Sequence, residues 1–171
     1  MPRANSTYRS VCQHGADPNT AILAALPHGD FEAVHALLRN GATLTLPVTA
    51  ALGRIDHAEC LLASASPEDR HRALALAAQF GHTEIVQLLL EAGEDPNRYN
   101  PEATHAHQAA FAGHFEVVPL LVHHGARLDL QDTLFHVTHQ DGAIHAGYAR
   151  VARYLSAPSS SPPASHKGKP R

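Results

Sequence analysis

The sequence predicts an all-α solenoid of about five helix–turn–helix units, with loops or hairpins between the later ones. Three observations carry this. The segment GHTEIVQLLLEAGEDPN, opening at Gly81-His82, is echoed 32 residues later by GHFEVVPLLVHHGARLD at Gly113-His114. A self-similarity period of about 20–50 residues marks units that bury their apolar faces only against neighbours. After each of these glycines the apolar residues fall at helical spacing: Ile85, Val86, Leu88, Leu89 and Leu90, then Val117, Val118, Leu120, Leu121 and Val122. Finally, 44% of the residues are hydrophobic, yet there are only five Phe, four Tyr and no Trp. A core of Ala, Leu and Val suits short, closely packed helices better than a β-sandwich.

The units follow in order. Residues 1–19 contain YRSVCQHGADPN, which matches the second half of a unit and ends in Gly15-Ala16-Asp17-Pro18-Asn19. They are expected to form a half-repeat that caps the stack, since solenoids need atypical ends to close their core. The repeat domain then spans 20–156. Its first unit runs from Thr20 to His28, turns at Gly29-Asp30, and places Val34, Leu37 and Leu38 on a second helix ending near Gly41. The second unit is degenerate: Leu44 to Leu52, a turn at Gly53-Arg54, and Ala65 where a second Gly would stand. The third and fourth first helices are RALALAAQF and THAHQAAFA, with Ala77-Ala78 and Ala109-Ala110 at the same offset and a second Gly at 93 and 125. The fifth runs from Thr138 to Gly147-Tyr148. A glycine after each first helix supplies the left-handed residue that a tight turn needs.

The turn glycines are 24, 28, 32 and 34 residues apart, so the connections differ. Those from Gly41 to Leu44 and from Ala65 to Arg72 read as clipped turns. The second contains SPEDR, a turn with Ser66 as N-cap before Pro67. Those from Gly93 to Thr104 and from Gly125 to Thr138 read as projecting hairpins or loops. The short early connections predict that units one and two are less well ordered than three and four. Residues 157–171, rich in Ser and Pro and basic at the end, are expected to be a disordered tail.

Composition excludes several classes. A net charge of −3 gives no polycation to hold nucleic acid. Fifteen His make the charge pH-sensitive and raise the idea of a pH-sensitive binder. No apolar run is long enough for a membrane span, and no secretory signal is visible at the N-terminus, so a cytoplasmic setting is expected. Cys12 and Cys60 form neither a disulfide framework nor a zinc pattern. Cys60, beside Leu61 and Leu62, is expected to be a small core residue. There is no GxSxG, no P-loop and no Cys with a plausible base, so an enzyme is not expected.

These residues together resemble the ankyrin repeat, whose pattern is roughly TPLHxAAxxGHxxVVxxLLxxGADPN. The match rests on Ala77-Ala78, Gly81-His82, Ile85-Val86, Leu88-Leu89, Gly93 and Asp95-Pro96-Asn97. In the next unit it rests on Thr104, His107, Ala109-Ala110, Gly113-His114, Val117-Val118, Leu120-Leu121 and Gly125-Ala126. It covers about residues 8–156 and is most similar to bacterial-type ankyrin proteins with an N-P-x-x-x-H-x-H segment, here Asn100 to His107. The resemblance implies that His82 and His114 hydrogen-bond between neighbouring units. No unit keeps an intact Thr-Pro-Leu-His opening. The nearest is Thr104-His105-Ala106-His107, with Thr138-His139-Gln140-Asp141 one 34-residue step later. The helix after Thr104 therefore starts either there, with His107 as the family's helix-start histidine, or later, with His105 and His107 in the loop.

The resemblance implies a monomeric scaffold that binds another protein through its concave and loop face, with no cofactor, nucleic acid or membrane. The positions expected on that face are Arg98, Tyr99, Asn100, Glu102, His105, Leu134, Phe135, His136, His139 and Gln140, with Tyr99 and Phe135 as aromatic anchors. The alternative is a divalent-metal site, hydrolytic in its boldest form, built from His105, His107, His136, His139 and Asp141. Against it, stacked helices lie about 10 Å apart, too far for His105 and His139 to share one ion without loop movement. His123-His124 read as cationic complements to a helix C-terminus. Glu84, Glu91, Glu94 and Asp95 read as a solvated acidic edge.

Overall fold

The computed structural model describes residues 17–98, 109, 112–127 and 149–155. Among them all regular structure is helical, and the helices pair as the sequence predicts. Unit 1 is α1 (Pro18–Ala25), one 3-10 turn (Leu26–His28) and α2 (Phe31–Arg39). Unit 2 is α3 (Leu46–Ala51) and α4 (Ile55–Leu62). Unit 3 is α5 (Pro67–Phe80) and α6 (Thr83–Glu91). Unit 4 contributes the helical residue Ala109 and α7 (Val117–His123), and α8 (Ala149–Leu155) follows in unit 5. The helix start after Thr104 lies outside the described residues.

Local chemistry sets each helix length. Asp17 caps α1, with Pro18 in the first turn where no amide partner is lost. Pro27 cannot extend that helix, because its ring would collide with the carbonyl four residues back. The chain tightens instead into a 3-10 turn. Pro47 near the start of α3 likewise bars growth toward the N-terminus, and Gly53 at φ 69° stops it after six residues. In contrast, α5 runs for 14 residues. Ser66 is its N-cap as expected, its hydroxyl accepting from the Asp69 amide at 3.1 Å. The rest of SPEDR is not a turn. Pro67 at the first helical position, with Glu68 and Asp69 against the positive helix end, starts the helix five residues before Arg72.

Among the described residues, the buried ones form two apolar clusters that meet in unit 2. One joins Ile22, Ala25 and Leu26 to Val34, Leu37, Val48, Ala51 and Leu76. The other runs from Leu46, Ala50 and Ala58 through α5, α6 and α7 to Val151. Alanines at 50, 73, 77, 78 and 109 are fully buried, and their small side chains let first helices approach closely. Thr49 stands where units 1, 3 and 4 have Ala25, Ala77 and Ala109. It is fully buried, with its hydroxyl donating to the Leu46 carbonyl at 2.8 Å. Cys60 is not a core residue: it is a free, exposed thiol. Each helical residue turns the direction by about 100°. Cys60 is thereby carried to the solvent side of α4, while Ala58 is buried and Leu61 and Leu62 are half-buried.

Asp17 yields a pH prediction. Its carboxylate accepts from the Asn19 amide at 3.1 Å and from the Thr20 hydroxyl at 3.0 Å. The Asn19 amide first, then the Thr20 hydroxyl, hold its pKa below the usual 3.8. A depressed carboxylate pKa stabilises the fold above its unfolded value, and that contribution is lost as pH falls through the folded value. The start of α1 should therefore fray only once the pH drops below 3.8. Amide chemical shifts of Asn19 and Thr20 across an acid titration should report the same midpoint.

Candidate functional site

The described residues define how successive units are braced, and so what surface stays open. At the turn end, Gly29, Gly53, Gly81 and Gly113 have φ of 65°, 69°, 76° and 78°. The carbonyls at the end of a helix have no partner inside it. The next unit's histidine supplies one. His82 Nε2 donates to the Ala51 carbonyl at 3.1 Å, and His114 Nε2 donates to the Gln79 carbonyl at 2.8 Å. A carbonyl only accepts, so each ring carries its proton on Nε2. The inter-unit role that the resemblance implied for both histidines is thus present. Each imidazole also lies against the preceding turn glycine. A Cβ on Gly53 would come within 2.6 Å of the His82 ring, and one on Gly81 would meet His114.

At the opposite end of the units the bracing residue is Asn. Asn97 donates to the Gly125 carbonyl at 2.9 Å and accepts from the Arg127 amide at 2.7 Å. Asn19 accepts from the Thr43 amide at 2.7 Å. Thr43 and Arg127 both lie two residues beyond the second glycine of a unit, so the two contacts are equivalent. In each case an aspartate two residues earlier accepts from the Asn amide, Asp17 at 3.1 Å and Asp95 at 2.8 Å, which fixes the turn. In the sequence, Asp-Pro-Asn reads only as a repeat marker. Its recurrence at the same offset was the signal that Asn carries an inter-unit contact.

What remains for a partner is uneven. On α1, Thr20, Leu23 and Ala24 are exposed, Leu23 at 40%. On α5, Glu68 and Arg72 are exposed. All six residues of α3 are buried, so unit 2 offers no first-helix side chain. Of the ten expected binding residues, Arg98 is the one within the described region. It is tied to its own unit, donating to the Pro67 carbonyl at 3.0 Å and pairing with Glu68 at 3.6 Å. Tyr99, Asn100, Glu102, His105, Leu134, Phe135, His136, His139 and Gln140 lie outside the described residues. So do His107 and Asp141, and with them the whole alternative metal set. Among the described residues no three His, Cys, Asp or Glu side chains are placed to hold a metal ion. Among them also, no helix is long and apolar enough to cross a membrane.

Farther along, Arg150 lies over the Phe115 ring at 3.8 Å and approaches Glu116 at 3.7 Å. Tyr154 meets Phe115 edge-on at 5.9 Å. These contacts pin α8 to the turn before α7. His123 and His124 sit at the end of α7 with their rings edge to face at 5.6 Å.

Paired helices, left-handed glycine turns and a histidine-to-carbonyl contact between units define a helical repeat protein. The family pattern of ankyrin repeats, in three copies, matches residues 22–132, and the chain belongs to the ankyrin-repeat family. It is 32% identical over 146 residues to the ankyrin repeat and KH domain-containing protein mask-1 of Caenorhabditis elegans, spanning 80% of this chain and 6% of that protein. It is 37% identical over 110 residues to the putative E3 ubiquitin-protein ligase XBAT31 of Arabidopsis thaliana, spanning 63% of this chain and 24% of that protein. It is 31% identical over 118 residues to human cyclin-dependent kinase inhibitor 2A, spanning 66% of this chain and 75% of that protein.

The glycine–histidine contact makes a direct prediction. Gly53→Ala places a Cβ in the left-handed region and against His82. The backbone alone should cost about 1–2 kcal/mol, read as a lower urea midpoint. Gly41→Ala, at φ 95° but with no heavy atom within 4 Å of the new Cβ, should cost less. Equal losses would show that the ring contact is irrelevant.

Proposed function

We propose that this chain is a protein-interaction scaffold without catalysis of its own, binding a partner across its hairpins and exposed first-helix side chains. The observation that carries the reading is the bracing at both ends of the units. His82, His114, Asn19 and Asn97 spend their polar groups on neighbouring units, which fixes the stack. Side chains such as Thr20 and Leu23 stay open on a preformed surface. Binding to a rigid surface loses little conformational entropy. Tyr99, Phe135 and His136, in the two long connections, are the proposed anchors.

The partner class we favour is a protein kinase catalytic subunit. Of the relatives named above, this chain spans most of just one, human cyclin-dependent kinase inhibitor 2A, and the name of that protein points to a kinase as partner. Surface plasmon resonance with a purified cyclin-dependent kinase subunit should give saturable binding. Replacing Tyr99, Phe135 and His136 together by Ala should weaken it at least about tenfold, as expected of hot-spot side chains. Saturable binding unchanged by the triple substitution would refute the chosen surface, and absence of binding would refute the kinase as partner. The metal alternative at His105, His107, His136, His139 and Asp141 predicts stoichiometric zinc uptake that His105→Ala abolishes.

A further inference from the structure

Among the described junctions, the one between units 1 and 2 departs from the histidine pattern. Unit 2 has Arg54 where units 3 and 4 have His82 and His114, and Arg54 is exposed. The carbonyl it would serve by analogy is that of Pro27, two residues before Gly29, as Ala51 precedes Gly53 and Gln79 precedes Gly81. Pro27 nevertheless has a donor, and it comes from unit 3. Gln79 Nε2 donates to the Pro27 carbonyl at 2.7 Å, across 52 residues. The turn glycine is likewise covered from unit 3, since a Cβ on Gly29 would meet the Phe80 ring at 3.3 Å. That ring also packs edge-on against Phe31 at 5.1 Å. One turn earlier on the same helix, Leu76 is buried in the cluster shared by units 1 and 2, not in the one that holds Ala73, Ala77 and Ala78 of α5.

We infer that Gln79 and Phe80 together replace the missing histidine, and that they clasp unit 1 directly to unit 3 across the shortened unit 2. An imidazole does two things at the other junctions: it donates a hydrogen bond and lays a flat ring on glycine. Here Gln79 supplies the donor and Phe80 the ring. The backbone carbonyl of Gln79 meanwhile accepts from His114. This residue therefore links unit 1 through its side chain and unit 4 through its main chain. The six-residue α3 lies under the clasp, consistent with the burial of all its residues. Stacks whose units touch only their nearest neighbours can fray from an end one unit at a time. The clasp instead makes the first three units open together.

Native-state hydrogen exchange on the full chain, resolved by peptide, tests this. Gln79→Ala removes the donor, keeps the carbonyl for His114, and does not lower helix propensity. Exchange protection in α1 and α2 should fall at least about tenfold, while α7 stays at the wild-type level. Phe80→Leu, which keeps bulk but removes the flat ring, should lower the same segments. Arg54→His restores a histidine at the ladder position and should recover α1 and α2 protection in the Gln79→Ala background. Unchanged exchange in α1 and α2, equal loss in every helix, or no rescue by Arg54→His would each overturn the clasp.

Discussion

A helix ends with carbonyls that its own backbone cannot satisfy. In this stack that constraint organises the turn end of the units. Each first helix stops at a left-handed glycine, which exposes the carbonyl two residues earlier and leaves a surface with no side chain. An imidazole from the following unit meets both needs, as His82 does at Ala51 and Gly53. The same histidine begins the turn into the second helix of its own unit, so one residue fixes the end of one unit and the start of another. At the opposite end Asn97 bridges Gly125 and Arg127 in the same spirit. With polar contacts at both ends and alanine in between, the helices can pack closely without large side chains.

Unit 2 shows what happens when the pattern is interrupted. It lacks the histidine, its first helix has six residues, and Ala58 is the one fully buried residue of α4. Such a unit buries its short first helix completely but only Ala58 of its second. Its neighbours compensate. The long α5 packs closely on α3, and its end reaches Pro27, Gly29 and Phe31 of unit 1. In consequence, exposed first-helix side chains lie on either side of unit 2, at Thr20 and Leu23 on one flank and Arg72 on the other.

Much of this was legible in the residues. The turn glycines at 29, 53, 81 and 113, the buried Ala77-Ala78 pair and the apolar stripes of α2, α6 and α7 depend on periodicity alone, and the structure reproduces them. Three features were not legible. In the sequence, Pro67 looks like part of a turn, yet with Ser66 it starts a helix, because capping chemistry is local and independent of the repeat frame. In the sequence, Cys60 looks like core because of its apolar neighbours, but a helix turns consecutive residues away from one another. The role of Gln79 and Phe80 was hidden because neither type carries a repeat signature. Of the ten candidate-site residues, Arg98 lies among the described residues, and its guanidinium is committed to Pro67 and Glu68.

The sequence by itself determined the unit, its turns and the family, because these follow from positions where only glycine, a small side chain or an apolar stripe will fit. Tertiary structure alone decided which unit touches which. A hydrogen bond between Gln79 and Pro27, 52 residues apart, has no periodic trace. It exists because the short α3 lets two more distant units meet, and a carbonyl left over at a helix end accepts whatever donor packing brings to it.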